Sequence, residues 1–125
     1  EFEVVVDDLS RARAILEGLG YGLTITYEKW RSVYQYNGLE ITLDEMPYGN
    51  FTEIEGADTA AIQTTARVLA LDWDARIKGS YIELFDRFKK KRELSLDALT
   101  FSAFASLTVS WQDLGVKPGD TPAFL

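Results

Sequence analysis

The chain contains no cysteine and no histidine. Without cysteine there is no disulfide, no thiolate nucleophile and no Cys-ligated zinc. Without histidine there is no Ser-His-Asp triad and no His-ligated metal. No apolar run approaches the roughly 18 residues that a membrane-spanning helix needs. Basic residues are also scarce, 13 Lys and Arg against 20 Asp and Glu, for a net charge of -7. Non-specific binding of DNA or RNA needs a cationic face, so nucleic acid is not an expected partner. Chemistry must then come from Asp, Glu, Lys, Arg or Tyr, or from a hard cation held by carboxylates.

What is present suits one packed domain. The 125 residues are 46% hydrophobic and 13% aromatic, enough for a chain of this length to bury roughly two-thirds of its unfolded surface. No signal peptide is visible and no membrane is expected, which sets the expectation of a cytoplasmic protein. The first residue, Glu1, already lies in an alternating acid and apolar stretch, Glu1–Val6, that reads as a strand. The expectation is therefore that the natural protein starts earlier.

The coarse pattern is α+β. A helix with Leu9, Ala12, Ile15, Leu16 and Leu19 on one face follows a cap at Asp7 and ends at Gly18 and Gly20. Leu23–Tyr36 reads as one long strand, rich in Thr, Ile, Tyr, Trp and Val. Asn37-Gly38 is a type I′ hairpin signal. Leu39–Met46 is the return strand, Pro47–Asn50 a four-residue turn, and Phe51–Glu55 a further strand. Residues 57–125 change character. A helix capped by Asp58 is followed by a capping box at Ser80-Tyr81-Ile82-Glu83, and the helix that box opens ends in Lys89-Lys90-Lys91-Arg92. That basic run complements the helix dipole. In the tail of short helices and loops, Phe101, Phe104 and Trp111 are expected to pin the chain to the body.

The hairpin register places chemistry. A two-residue turn pairs Tyr36 with Leu39, Tyr34 with Ile41 and Ser32 with Leu43 on a largely apolar face. The other face carries Arg31 opposite Asp44, with Lys29 beside them. A four-residue second turn would set Asp44 opposite Glu53 and Thr42 opposite Glu55. Carboxylates facing one another need a cation between them. Arg31 and Lys29 can supply it, or a divalent metal can. The plain alternative is a wet sheet face laced with salt bridges.

These residues resemble a known pattern. Lys29-Trp30-Arg31-Ser32-Val33-Tyr34 followed by Ile41-Thr42-Leu43-Asp44 resembles the K-x-R-x-x-[YF] … i-x-L-D pattern of the CYTH family. Gly49-Asn50-Phe51-Thr52-Glu53-Ile54-Glu55 resembles its G-x-F-x-E-I-E, and Ser80-Tyr81 its late S-Y element. CYTH domains are triphosphate tunnel metalloenzymes and include class IV adenylyl cyclases, thiamine triphosphatases and inorganic triphosphatases. The resemblance implies part of an antiparallel tunnel barrel with flanking helices. It implies that Lys29 and Arg31 contact phosphates and that Glu53, Glu55 and Asp44 hold Mg²⁺ or Mn²⁺. Glu1 and Glu3 would belong to a further acidic strand. The ligand would be a triphosphate-containing small molecule such as ATP, thiamine triphosphate or tripolyphosphate, either hydrolysed or cyclised, or bound without turnover. Val5 stands where the family's E-x-E-x-K has its Lys, and the K-x-R strand directly follows the first helix. The first feature departs from the family pattern, and the second is the order of the C-terminal half of a CYTH domain, so the tunnel would be completed by a missing N-terminal half or by a second copy in a homodimer.

Overall fold

The computed structural model describes residues 2–120. Glu1 lies outside the described residues, and with it the first acid of the expected strand. Phe2–Val6 take up no strand pairing among the described residues. The strand expected there is corrected to an exposed segment without strand pairing. An alternating pattern specifies a strand only when a neighbour accepts its backbone hydrogen bonds.

Helix α1 spans Leu9–Gly18 and is capped by Asp8, whose carboxylate accepts from Arg11 N. The cap is one residue later than the sequence suggests. None of its residues is buried. The long strand expected over Leu23–Tyr36 is broken in two, β1 at Thr26–Tyr27 and β2 at Trp30–Tyr36. Strands β3, Leu39–Met46, and β4, Gly49–Glu55, complete an antiparallel sheet in the order β2-β3-β4. Helix α2 is Thr59–Val68, capped by Asp58, and α3 is Tyr81–Arg92, opened by the Ser80–Glu83 capping box. Strand β5, Ala98–Leu99, pairs in parallel with β1. Two short helices follow, α4 at Phe101–Phe104 and α5 at Trp111–Leu114. The class is α+β, and no closed barrel forms among the described residues.

The first hairpin has the expected register, Tyr36 opposite Leu39 and Arg31 opposite Asp44. Asn37 and Gly38 both take positive φ, 49° and 76°, as a type I′ turn requires. The second hairpin does not. Its loop is only Pro47-Tyr48, and Met46 pairs with Gly49. Gly49 adopts φ +150°, a conformation open to glycine. Asp44 therefore faces Phe51, Thr42 faces Glu53 and Glu40 faces Glu55. The loop is two residues shorter than expected, so every partner shifts by two and no side chain changes face.

The core lies between the sheet's Met46–Tyr48 end and α3. Met46, Tyr48, Leu84, Phe85, Phe88, Leu99, Phe104 and Leu114 form one buried cluster. Phe104 is in it, whereas Phe101 and Trp111 stay partly exposed, so α4 and α5 are pinned chiefly by Phe104 and Leu114. On the opposite sheet face Leu39 and Ile41 are buried, but Trp30, Tyr34, Tyr36 and Leu43 are exposed. The face with the more apolar sequence is thus the more open one. The polar face is the one α3 covers.

Candidate functional site: a cation pair on a buried carboxylate

Alternation along β2 and β3 puts Lys29, Arg31, Thr42, Asp44 and Met46 on the α3 side of the sheet. The capping box starts α3 at Tyr81, which directs that residue's ring over the same face. Phe51, opposite Asp44, packs edge-on against the Tyr81 ring at 5.2 Å. The Tyr48 hydroxyl donates to the Tyr81 carbonyl at 2.8 Å, fixing the second turn to the first turn of α3.

Asp44 is the hub. Its side chain is 0% exposed. Arg31 grips it with two bonds, Nε to Oδ1 at 2.6 Å and Nη2 to Oδ2 at 2.5 Å. Lys29 Nζ donates to Oδ2 at 3.3 Å, and the Tyr81 hydroxyl donates to Oδ2 at 2.8 Å. A buried carboxylate without donors would be costly; this one has four. Burial pushes Asp44 toward the neutral form, but hydrogen bonds from Arg31, Tyr81 and Lys29 outweigh it and hold the pKa at about 2. Hydrogen bonding to Asp44 raises Arg31 further above its ordinary value. Burial, then the bond to Asp44, raises Tyr81 as well, so its hydroxyl stays a donor.

The rim of the cluster is open. Arg31 Nη2 also donates to Glu53 Oε2 at 2.7 Å, and the Arg31 and Glu53 side chains are 33% and 45% exposed. Thr42 Oγ1 lies 3.5 Å from the same Glu53 oxygen. Lys29 Nζ stands 5.4 Å from the centre of the Tyr81 ring, a cation–π contact. Two cations are therefore oriented by a carboxylate beneath them, and on the outer side Arg31 meets the half-exposed Glu53.

Of the expected metal ligands, Asp44 and Glu53 converge on Arg31 Nη2, and Glu55 stands one step further along the strand pair. Both oxygens of Asp44 are engaged by protein donors, which makes it a holder of cations rather than a ready metal ligand. Glu55 pairs with Glu40, one step beyond the Thr42–Glu53 pair. No group of three or more acidic residues stands close enough to hold a metal ion among the described residues. Glu3 is exposed in the unpaired N-terminal segment, away from any strand. Tyr81 is the member of the cluster that reading by strand faces alone did not supply. The signal for Tyr81 was its place directly after a helix cap, which fixes the direction of an N-terminal side chain. Comparison with protein-family models, curated proteins and solved structures finds no match to this chain.

Proposed function

We propose that the chain is a triphosphate-binding domain of the CYTH kind, in which Lys29 and Arg31 hold phosphate oxygens. The observation that carries this reading is the pair of cations fixed on one side by the buried Asp44 and open on the other. Guanidinium groups suit phosphate because their planar fork makes paired N–H bonds. Prior orientation by Asp44 means that little side-chain freedom is lost when the ligand arrives. The resemblance adds the reaction, hydrolysis or cyclisation of the triphosphate. In such chemistry the protein contributes positioning and charge stabilisation rather than covalent steps.

Mg²⁺ or Mn²⁺ enters this reading as the cation that accompanies a triphosphate. Glu53 and Glu55, exposed on the same face, are the protein carboxylates able to approach it. Asp44 is already committed to Arg31, Lys29 and Tyr81. A second reading is a polyphosphate or nucleotide-binding module without turnover, and the engagement of both Asp44 oxygens by Arg31, Lys29 and Tyr81 supports it.

Release of phosphate or pyrophosphate from ATP, thiamine triphosphate and tripolyphosphate in the presence of Mg²⁺ tests the first reading. Mg²⁺-dependent turnover that falls at least tenfold in Glu53→Gln supports the enzyme. Tight binding without turnover supports the module. Absence of binding removes both.

A further inference from the structure

Strand β2 is an edge of its sheet, with β3 as its one strand neighbour among the described residues. Every residue of it, Trp30–Tyr36, is exposed. Because the turn at Asn37-Gly38 has two residues, Tyr36 and Leu39 form a hydrogen-bonded pair, and such pairs alternate with open ones along the ladder. Tyr36, Tyr34, Ser32 and Trp30 therefore direct their N–H and C=O groups at β3. Arg31, Val33 and Gln35 direct theirs away from the sheet, where no strand receives them among the described residues.

Edge strands in natural sheets are blunted by shortness, proline, a bulge or an outlying charge. β2 lacks the first three: it runs for 7 residues without proline and pairs one to one with β3. Its single charge, Arg31, is already matched by Asp44 and Glu53. Its Trp, Val and Tyr residues favour extended pairing. The other edge differs, because β4 carries Glu53 and Glu55 and has α2 against it.

We propose that β2 is a self-pairing edge, on which β2 of a second copy docks antiparallel about a two-fold axis at Val33. Self-complementarity is what selects a second copy. With Val33 opposite Val33, Arg31 falls opposite Gln35 and Gln35 opposite Arg31, so every outward-facing residue pairs and each pair exchanges two backbone bonds. No like charges face one another. An axis at Arg31 would set that residue against itself, which is unfavourable. An axis at Gln35 would run the strands into the Asn37-Gly38 turn, and one at Ser32 or Tyr34 would leave Gln35 or Arg31 without a strand partner. Cross-strand partners share a face, so on the open face Trp30 meets Tyr36, and Ser32 meets Tyr34, of the second copy. The exposed aromatic rows of the two sheets then join into one. The contact is made by backbone groups along β2 and does not rest on the phosphate reading.

The test is sedimentation of the 125-residue chain. A monomer–dimer equilibrium is expected between about 10 and about 500 µM, the weak range that a small interface gives. Val33→Lys sets two ammonium groups directly opposite each other and should weaken the dimer about tenfold or more, with the circular dichroism spectrum of wild type. Cross-linking reads the register and decides the matter if Val33→Lys unfolds. The chain has no cysteine, so Val33→Cys carries a single thiol. Hydrogen-bonded partners have Cα atoms about 5.5 Å apart, within disulfide range, whereas the two copies of Gln35 would stand roughly 14 Å apart, four residues along the strand. Under mild oxidation Val33→Cys should form a covalent dimer about tenfold faster than the equally exposed Gln35→Cys. A wild-type chain that stays monomeric to about 500 µM would overturn the proposal. So would equal cross-linking rates at the two positions, or a dimer that folded Val33→Lys leaves unchanged.

Discussion

The Tyr81 hydroxyl donates to Asp44 Oδ2 at 2.8 Å across 37 residues of sequence, and this bond couples the first turn of α3 to the strand that orients Arg31. Tyr81→Phe keeps the ring, with its contacts to Phe51 and Lys29, and removes only the donor. A hydrogen bond to a charged group is worth about 1.5–3 kcal/mol, so urea denaturation should show a loss near the lower end of that range, given that Arg31 and Lys29 still satisfy Asp44.

Asp44→Asn should do more damage. It removes the charge that Arg31 and Lys29 share and leaves Arg31 with Glu53 as its acidic partner among the described residues. The expected loss is about 2–3 kcal/mol, below the cost of orphaning a fully buried charge because both cations reach solvent. Thermal or urea denaturation measures it.

The pH dependence follows from the same residue. Asp44 titrates at about 2 in the folded chain against an ordinary 3.8. Its folded pKa is depressed, so its contribution is present above pH 4 and is lost as pH falls from about 4 to about 2. The linked stability is about 2 kcal/mol. Denaturation curves at pH 5 and pH 2.5 should differ by more in wild type than in Asp44→Asn, and equal slopes in the two proteins would mean that Asp44 is not held in its charged form.

Helix α1 should behave as a nearly isolated helix. Its ten residues bury nothing, and Leu9, Ile15, Leu16 and Leu19 are all exposed. Helices of this length are marginal in water without packing. Hydrogen exchange should show α1 amides weakly protected and those of Leu84–Phe88 strongly protected. Strong protection across α1 would mean that its apolar face is covered in solution.

The sheet's faces were legible in the sequence, and its second register was not. Alternation is a period of two, so an error of two residues in the loop leaves Asp44, Arg31 and Glu53 on one face while changing every partner. Tyr48 explains the shorter loop. Pro-Tyr-Gly-Asn reads as a surface turn, yet Tyr48 is buried and its hydroxyl bonds Tyr81 O, which is a tertiary cause with no local signature. The capping box at Ser80 was legible because its partners lie three residues apart. The break between β1 and β2 was not, because it depends on β5, some 70 residues away, pairing with Thr26 and Tyr27. The direction of core burial was misleading for a similar reason. Trp30, Tyr34 and Leu43 make one face look like the inside, but α3 packs on the face of Asp44 and Met46.

Calorimetric titration of tripolyphosphate with Mg²⁺ into wild type and into Arg31→Ala tests the phosphate reading most directly. Arg31 is one-third exposed, so the variant should remain folded, and circular dichroism checks that it does. Measurable binding is expected in wild type, with a loss of about 2 kcal/mol in the variant, the scale of a charge-assisted contact. Equal affinity in the two folded proteins would contradict it and leave Lys29, Arg31 and Asp44 as a salt bridge that serves the fold alone.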